Sequence, residues 1–328
     1  MGLTEPARTA SVLAVDAGNS KTDVAVVAAD GTVLGTGRGG GFRPPAVGVR
    51  QAVDEVAAAV AEAFAAARVT SVTHVSACLA NADLPVEEEQ LAAALADRGW
   101  GGSVEVRNDT FAVLRAGAAE PRGVAVVCGA GINCVGMRPD GRTARFPALG
   151  RISGDWGGGW GLAEEALWWA ARADDGRGEP TELARTLPAH FGLASMYALI
   201  EALHLEHIGH ARRHELTPVL FATAAGGDPV ARALVERLAD EVVTMAAVAL
   251  TRLELLDEET PVLLGGGVLA ARHPLLDDGV RRLLAERAPK AVPRVVTARP
   301  VLGAALLGLD RTGASAEAQE RLRDHYEQ

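Results

Sequence analysis

Three glycine-bearing turns, each reached from an apolar run, carry residue types that can hold phosphate oxygens. The first is Asp16-Ala17-Gly18-Asn19-Ser20-Lys21-Thr22, a small donor-rich turn in which Gly18 permits close backbone approach and Ser20 and Thr22 add hydroxyls. Asp16 at its start is suited to holding Mg2+ through water, because hard cations take carboxylate oxygens and Mg2+ keeps several of its waters. The second turn is Gly129-Ala130-Gly131, followed by Ile132 and Asn133 and flanked by Cys128 and Cys134; the third is Gly265-Gly266-Gly267. Taken alone the first is equally a plain hairpin turn, but three in order are far more specific.

Asp109, in Arg107-Asn108-Asp109-Thr110, falls where a strand ends and a helix begins. A carboxylate there either caps the helix or is free to accept a proton. Asn81 and Asp83, just past another strand, read as plain loop residues; only the family resemblance given below makes them secondary candidates for ligand contact. Gly154-Asp155-Trp156-Gly157 opens a loop expected to run to Gly161. Its two tryptophans, Trp156 and Trp160, suit a sugar-binding or lid loop, since aromatic rings stack on pyranose faces. His204, His207, His210 and His214 invite a metal reading, but Gly209 and the lack of nearby cysteine favour solvated histidines.

No Walker A pattern and no GxGxxG in strand-turn-helix context occurs, so phosphate binding must use strand-turn-strand geometry. The periodicity supplies that geometry. Ser11–Val15, Asp23–Ala28 and Thr32–Thr36 read as strands, with Asp30-Gly31 as a hairpin turn. Val49–Ala67 has helical spacing, Ser71–Leu79 returns to a strand, a helix covers about 86–97, and Ser103–Arg107 is the strand before Asp109. The pattern restarts with strands at Gly123–Cys128, Ile132–Met137 and Thr143–Phe146. A mostly helical stretch from Asp155 to about Leu256 follows, broken near Gly176–Pro180 and Gly226–Pro229. Then come a strand at Pro261–Leu264, a helix at Pro274–Arg287, a strand at Arg294–Thr297, a helix at Pro300–Leu309 and a polar tail read as a surface or frayed helix.

At 328 residues the chain suits two α/β lobes with a pocket where they meet. A net charge of -10 without a basic run argues against nucleic acid or an anionic membrane as partner and favours a small molecule. Three cysteines, an odd count with no CxxC, read as reduced thiols. With no apolar leader in MGLTEPARTA and no membrane-length run, a cytoplasmic protein is expected.

The ordered turns resemble the phosphate 1, phosphate 2 and adenosine motifs of the actin, hexokinase and heat-shock-protein ATPase superfamily, and Asp109 stands where its sugar kinases carry their base. From Val12 to Leu309 the chain is similar to the N-acetylglucosamine kinase and BadF/BadG/BcrA/BcrD ATPase family. That resemblance implies a two-lobed actin-like (ribonuclease H-like) fold, with residues 1–118 as one lobe, residues 119–328 as the other, and a last helix able to pack back on the first. It implies ATP and Mg2+ as cofactors, an amino sugar phosphorylated at C6, and a homodimer. It carries Ser20 over as a phosphate contact, Asn133 as a sugar or loop-ordering residue, Asp155 as a partner for sugar hydroxyls, and Asn81, Asn108 and Trp156 as further sugar contacts. The chain departs from the family where Trp156 replaces a glutamate and where Gly39-Gly40-Gly41 replaces an asparagine. Other readings are a kinase for glucosamine or another hexose, an iron-sulfur ATPase activator using Cys128 and Cys134, and a regulator that binds nucleotide or sugar without turnover.

Overall fold

The computed structural model describes residues 10–327, so the reading of the extreme N-terminus as leader-free concerns residues mostly outside it. Strands β1 (Ala10–Ala17), β2 (Thr22–Ala28) and β3 (Val33–Gly39) form an antiparallel meander. Helices α1 (Pro44–Val47) and α2 (Val49–Ala67) lead to β4 (Val72–Leu79), α3 (Pro85–Ala96) to β5 (Gly101–Asn108), and α4 (Thr110–Gly117) follows. The sheet order is β3-β2-β1-β4-β5, with β4 parallel to β1 and β5 parallel to β4. Leu13, Val15, Val24 and Val26 pack with Val53, Val56 and Val60 of α2, and helix α12 (Pro300–Thr312) packs on β1 and β2 as well, which accounts for the apolar runs Val12–Val15 and Val24–Ala28.

The second sheet comprises β6 (Gly123–Cys128), β7 (Ile132–Met137), β8 (Thr143–Arg145) and two later strands. Between them lies the helical stretch: a 3-10 turn at Gly150–Ser153, α5 (Gly158–Asp174), α6 (Leu183–His190), α7 (Met196–His204), a 3-10 turn at His210–Glu215, α8 (Leu216–Ala225) and α9 (Pro229–Arg252). After it come β9 (Thr260–Gly265), α10 (Gly267–Ala270), α11 (Pro274–Arg287) and β10 (Ala291–Val295). The order β10-β9-β6-β7-β8, read from its other end, repeats the first sheet: a three-strand meander with two further strands added beside its first. The chain closes with α12 (Pro300–Thr312) and α13 (Ala316–Glu327).

By compactness the chain forms two units, and they do not follow a single break after residue 118. The first takes in the chain up to Ala125, Val135–Pro147 and everything from Val296, the second Val126–Cys134 and Ala148–Val295. The chain's end belongs with the first sheet because α12 packs on β1 and α4. Arg115 of α4, fully buried, donates from Nε to Asp310 of α12 at 2.7 Å and from Nη1 to the Ala118 carbonyl, just past its own helix, at 3.0 Å. The tail is a docked helix, with Ala318 and Leu322 buried. The expected strand at Arg294–Thr297 lies earlier, at Ala291–Val295.

Candidate active site

In the first unit the backbone register sets Ala17 of β1 beside Leu79 of β4, and Leu79 beside Asn108 of β5. The 18–21 turn, the 80–84 loop and Asp109 therefore leave the sheet from one edge, the carboxyl ends of parallel strands, where open α/β sheets bind ligands. The turn is closed by the Gly18 amide donating to the Lys21 carbonyl at 2.9 Å, and the Phe42 amide donates to the Gly18 carbonyl at 2.9 Å. Asn81, in left-handed backbone conformation (φ 60), donates to Asn19 Oδ1 at 3.1 Å and to the Phe42 carbonyl at 3.2 Å. It braces the turn. The Thr22 hydroxyl, expected to face phosphate, is buried and donates to the Gly40 carbonyl at 2.8 Å. Asn19, Ser20 and Lys21 remain exposed.

Charge accumulates beneath this turn. Asp16 is buried, and burial together with the nearby Asp109 and Asp23 carboxylates pushes its pKa up to about 7. Asp23 lies opposite Asp16 in the β1–β2 register. Burial opposes its ionisation, but hydrogen bonds from Lys21 and Arg38 outweigh that and hold it below the usual carboxylate range. Lys21 Nζ stands 2.8 Å, Arg38 Nε 2.9 Å and Arg299 Nη2 3.1 Å from its oxygens. Lys21, expected to serve phosphate, is thus tied to Asp23. The Asp23 cluster escaped the sequence reading, although a hairpin closing at 18–21 pairs position 16 with position 23.

Asp109 does not cap α4. Its backbone is helical (φ -59, ψ -23) and its side chain makes no capping bond. Asn108 does that work: its Oδ1 accepts the Thr110 amide at 2.9 Å, while its Nδ2 donates to Asp83 Oδ1 at 2.7 Å. Desolvation pushes the Asp109 pKa up to about 6, against an opposing contribution from hydrogen bonds with Thr110. A buried carboxylate beside another is a fit for Mg2+, which needs only one or two carboxylates when substrate phosphates and water complete its shell. No group of three or more His, Cys, Asp or Glu suited to a metal occurs among the described residues.

In the second unit the Gly129–Gly131 turn closes on itself, the Gly129 amide donating to the Gly131 carbonyl at 2.9 Å. Two otherwise unpaired amides at the start of α5, those of Gly159 and Trp160, donate to the Gly129 and Ala130 carbonyls at 2.7 and 3.1 Å. The approach requires glycine at 158, where φ is 72° and a Cβ would stand 2.5 Å from the Ala130 oxygen. The third turn lies directly against the second: at Gly266 (φ 82) a Cβ would stand 2.4 Å from the Cys128 oxygen. Turns more than 130 residues apart in the chain are thus neighbours, with Ala130, Gly131 and Gly267 exposed. Asn133 Oδ1 accepts the Cys134 amide at 2.7 Å, a loop-ordering contact. Cys78, Cys128 and Cys134 are buried, and burial raises all three thiols, that of Cys128 to about 12.

The loop before α5 is more ordered than expected, and it stops at Gly157 because Gly158–Gly161 already belong to the helix. Asp155 Oδ2 accepts the Ser153 hydroxyl at 2.6 Å and the Gly150 amide at 3.0 Å, so this carboxylate shapes its own turn. Trp156 is 7% exposed, with the Arg237 guanidinium 4.2 Å from its ring centre. Trp156 packs inward, and its Nε1 is buried without a partner. Trp160 stacks on His210 at 5.0 Å and meets His214 at 6.0 Å.

Residues 13–308 match the BadF/BadG/BcrA/BcrD ATPase family, and the chain belongs to it. It is 28% identical over 192 residues to an N-acetylmuramic acid/N-acetylglucosamine kinase of Clostridium acetobutylicum, a match spanning 58% of this chain and 62% of that protein. It is 27% identical over 208 residues to an N-acetyl-D-glucosamine kinase of Dictyostelium discoideum, spanning 62% of this chain and 65% of the other. The chain thus spans less than two thirds of these curated relatives. A solved structure from Chromobacterium violaceum, described as a proposed N-acetylglucosamine kinase, shares the fold at a TM-score of 0.67 and 23% identity, over 93% of this chain and 100% of that one.

Proposed function

We propose that this protein is an ATP-dependent kinase of an amino sugar, N-acetylglucosamine or a close relative, with Asp109 as general base. The observation that carries the proposal is the division of labour at residues 108 and 109. Asn108 caps the helix and Asp109, its pKa near 6, keeps a carboxylate that is ionised at neutral pH and basic enough to accept a hydroxyl proton. The names of the two curated relatives support the substrate class. C6 as the phosphorylated position rests on the resemblance to sugar kinases.

In this reading the acceptor hydroxyl gives its proton to Asp109 as its oxygen attacks the γ-phosphorus, and ADP leaves. In the second unit the backbone amides of Gly129–Gly131 would hold phosphate oxygens and Gly265–Gly267 would face the adenosine; in the first, Ser20 is the hydroxyl that the 18–21 turn would offer. Mg2+, held by Asp16 through water, would supply neutralising charge at the phosphates. Asp155, Asn81 and Asn133 position the sugar-facing loops through the hydrogen bonds they already make. The test is ATP consumption with Mg2+ against N-acetylglucosamine, N-acetylmuramic acid, glucosamine, N-acetylmannosamine and glucose. Stimulation by one amino sugar, with its phosphate recovered, is expected; silence with all of them despite ATP binding would overturn the kinase reading in favour of a regulator.

A further inference from the structure

The second unit holds a cavity of about 1100 Å³ that none of the candidate site residues lines. Its walls are the outward face of α5 and the first turns of α9, closed by the 179–180 loop and Arg151. It is large enough for a small organic ligand. Trp168 and Trp169 stand in it edge to face, their ring centres 4.9 Å apart, and Trp168 is 51% exposed although it is among the chain's five tryptophans. A tryptophan left half in water beside an open cavity forfeits the burial that such a side chain normally gains.

The charges around the cavity do not cancel. Arg151 is paired with Glu165, and Arg237 covers the ring of Trp156 with Glu241 4.0 Å away, so both cations of the wall are already engaged. Glu164 and Glu179 line the same cavity, and neither has an ion pair among the described residues. The Trp168 ring already attracts one cation, the Arg172 guanidinium at 4.6 Å from its centre. Two exposed carboxylates without a paired cation, lining one cavity with two electron-rich indole rings, make an environment that favours a positive charge carried on a carbon body.

We propose that this cavity binds an organic ammonium ligand, its cationic nitrogen held by Glu164 and Glu179 and its carbon body against Trp168 and Trp169. A free-amine sugar and a linear diamine share that chemistry. The nitrogen would exchange part of its hydration for two carboxylates and an indole face, and the carbon body would cover the exposed ring. A neutral N-acetylated sugar offers no charge to the glutamates and is excluded.

The test is calorimetric titration of the full chain without nucleotide, using 1,5-diaminopentane, glucosamine and N-acetylglucosamine at millimolar concentration. Binding of 1,5-diaminopentane or glucosamine is expected, weakened about tenfold in Trp168→Ala and similarly in the double variant Glu164→Gln/Glu179→Gln, and kept in Trp168→Phe. Binding of glucosamine alone would identify a free-amine sugar, and of the diamine alone a polyamine. Absence of binding by both cations, equal binding of N-acetylglucosamine at the cavity, or insensitivity to the glutamate and alanine variants would overturn the proposal. No turnover is read, so a failure of the kinase reading leaves this test intact, and the reverse also holds.

Discussion

The two sheets have the same strand order but opposite chemistry at their first hairpin. The β1–β2 turn sits on charge: Asp16, Asp23 and Lys21 lie within eight positions of one another, with Arg38 and Arg299 brought in by β3 and the start of α12. The β6–β7 turn has no charged residue between Cys128 and Cys134 and is built by backbone packing, with Gly158 and Gly266 pressed against its carbonyls. One turn is arranged to tune protonation, the other to present amides. In the proposed reaction the charged hairpin would serve the cation, and the glycine hairpin would offer amides to a nucleotide.

Breaking the charged side has the largest expected effect. Asp109→Asn should lower kcat about 10²- to 10⁴-fold while leaving ATP binding unchanged, measured by steady-state kinetics and nucleotide titration. Breaking the glycine side should instead damage binding and folding together. Gly266→Ala forces a side chain into left-handed backbone and onto the Cys128 oxygen, and should cost about 1–3 kcal/mol of stability in denaturant titration while raising the KM for ATP.

The pH dependence sharpens the contrast. With Asp109 as the proposed base, kcat/KM should rise with pH through about 6 and level off above it. Stability should run the other way. Asp16 and Asp109 have folded-state pKa values raised to about 7 and about 6, so the folded protein binds more protons than the unfolded chain between roughly pH 4 and 7 and loses stability as pH rises through that window. Asp109→Asn should therefore be more stable than the parent at pH 8, by on the order of 1–2 kcal/mol in thermal unfolding, while nearly inactive. The smallest effect separates two hydroxyls of the first turn. Thr22→Val should cost about 1 kcal/mol of stability by losing the bond to Gly40, with little change in the KM for ATP, whereas Ser20→Ala should raise that KM without a stability cost.

Much of the fold was legible because local patterns coincided with tertiary demands. Val49–Ala67, Gly123–Cys128, Ile132–Met137 and Pro274–Arg287 begin and end where periodicity and turn residues place them. The strand at Ala291–Val295 starts three residues before the position its local pattern suggests, because Pro293 and Arg294 interrupt that pattern and pairing with β9 sets the register. Site residues were legible by type and not by use. Lys21, Thr22, Asn81 and Asp155 each have a chemistry suited to a ligand, yet each is engaged by a neighbour that only the folded chain supplies. Asn108 and Asp109 show the converse. A carboxylate at a helix start resembles a cap until the side-chain oxygen of the preceding Asn108 is seen to accept the hydrogen bond of the Thr110 amide.

The most direct test of the central claim is transfer of labelled γ-phosphoryl from ATP to N-acetylglucosamine at pH 8, by the wild-type chain and by Asp109→Asn in parallel. Labelled sugar phosphate is expected from the wild type, with loss of at least about 99% of that rate in the variant and ATP still bound. Equal transfer by both proteins would remove Asp109 from the reaction and contradict the account.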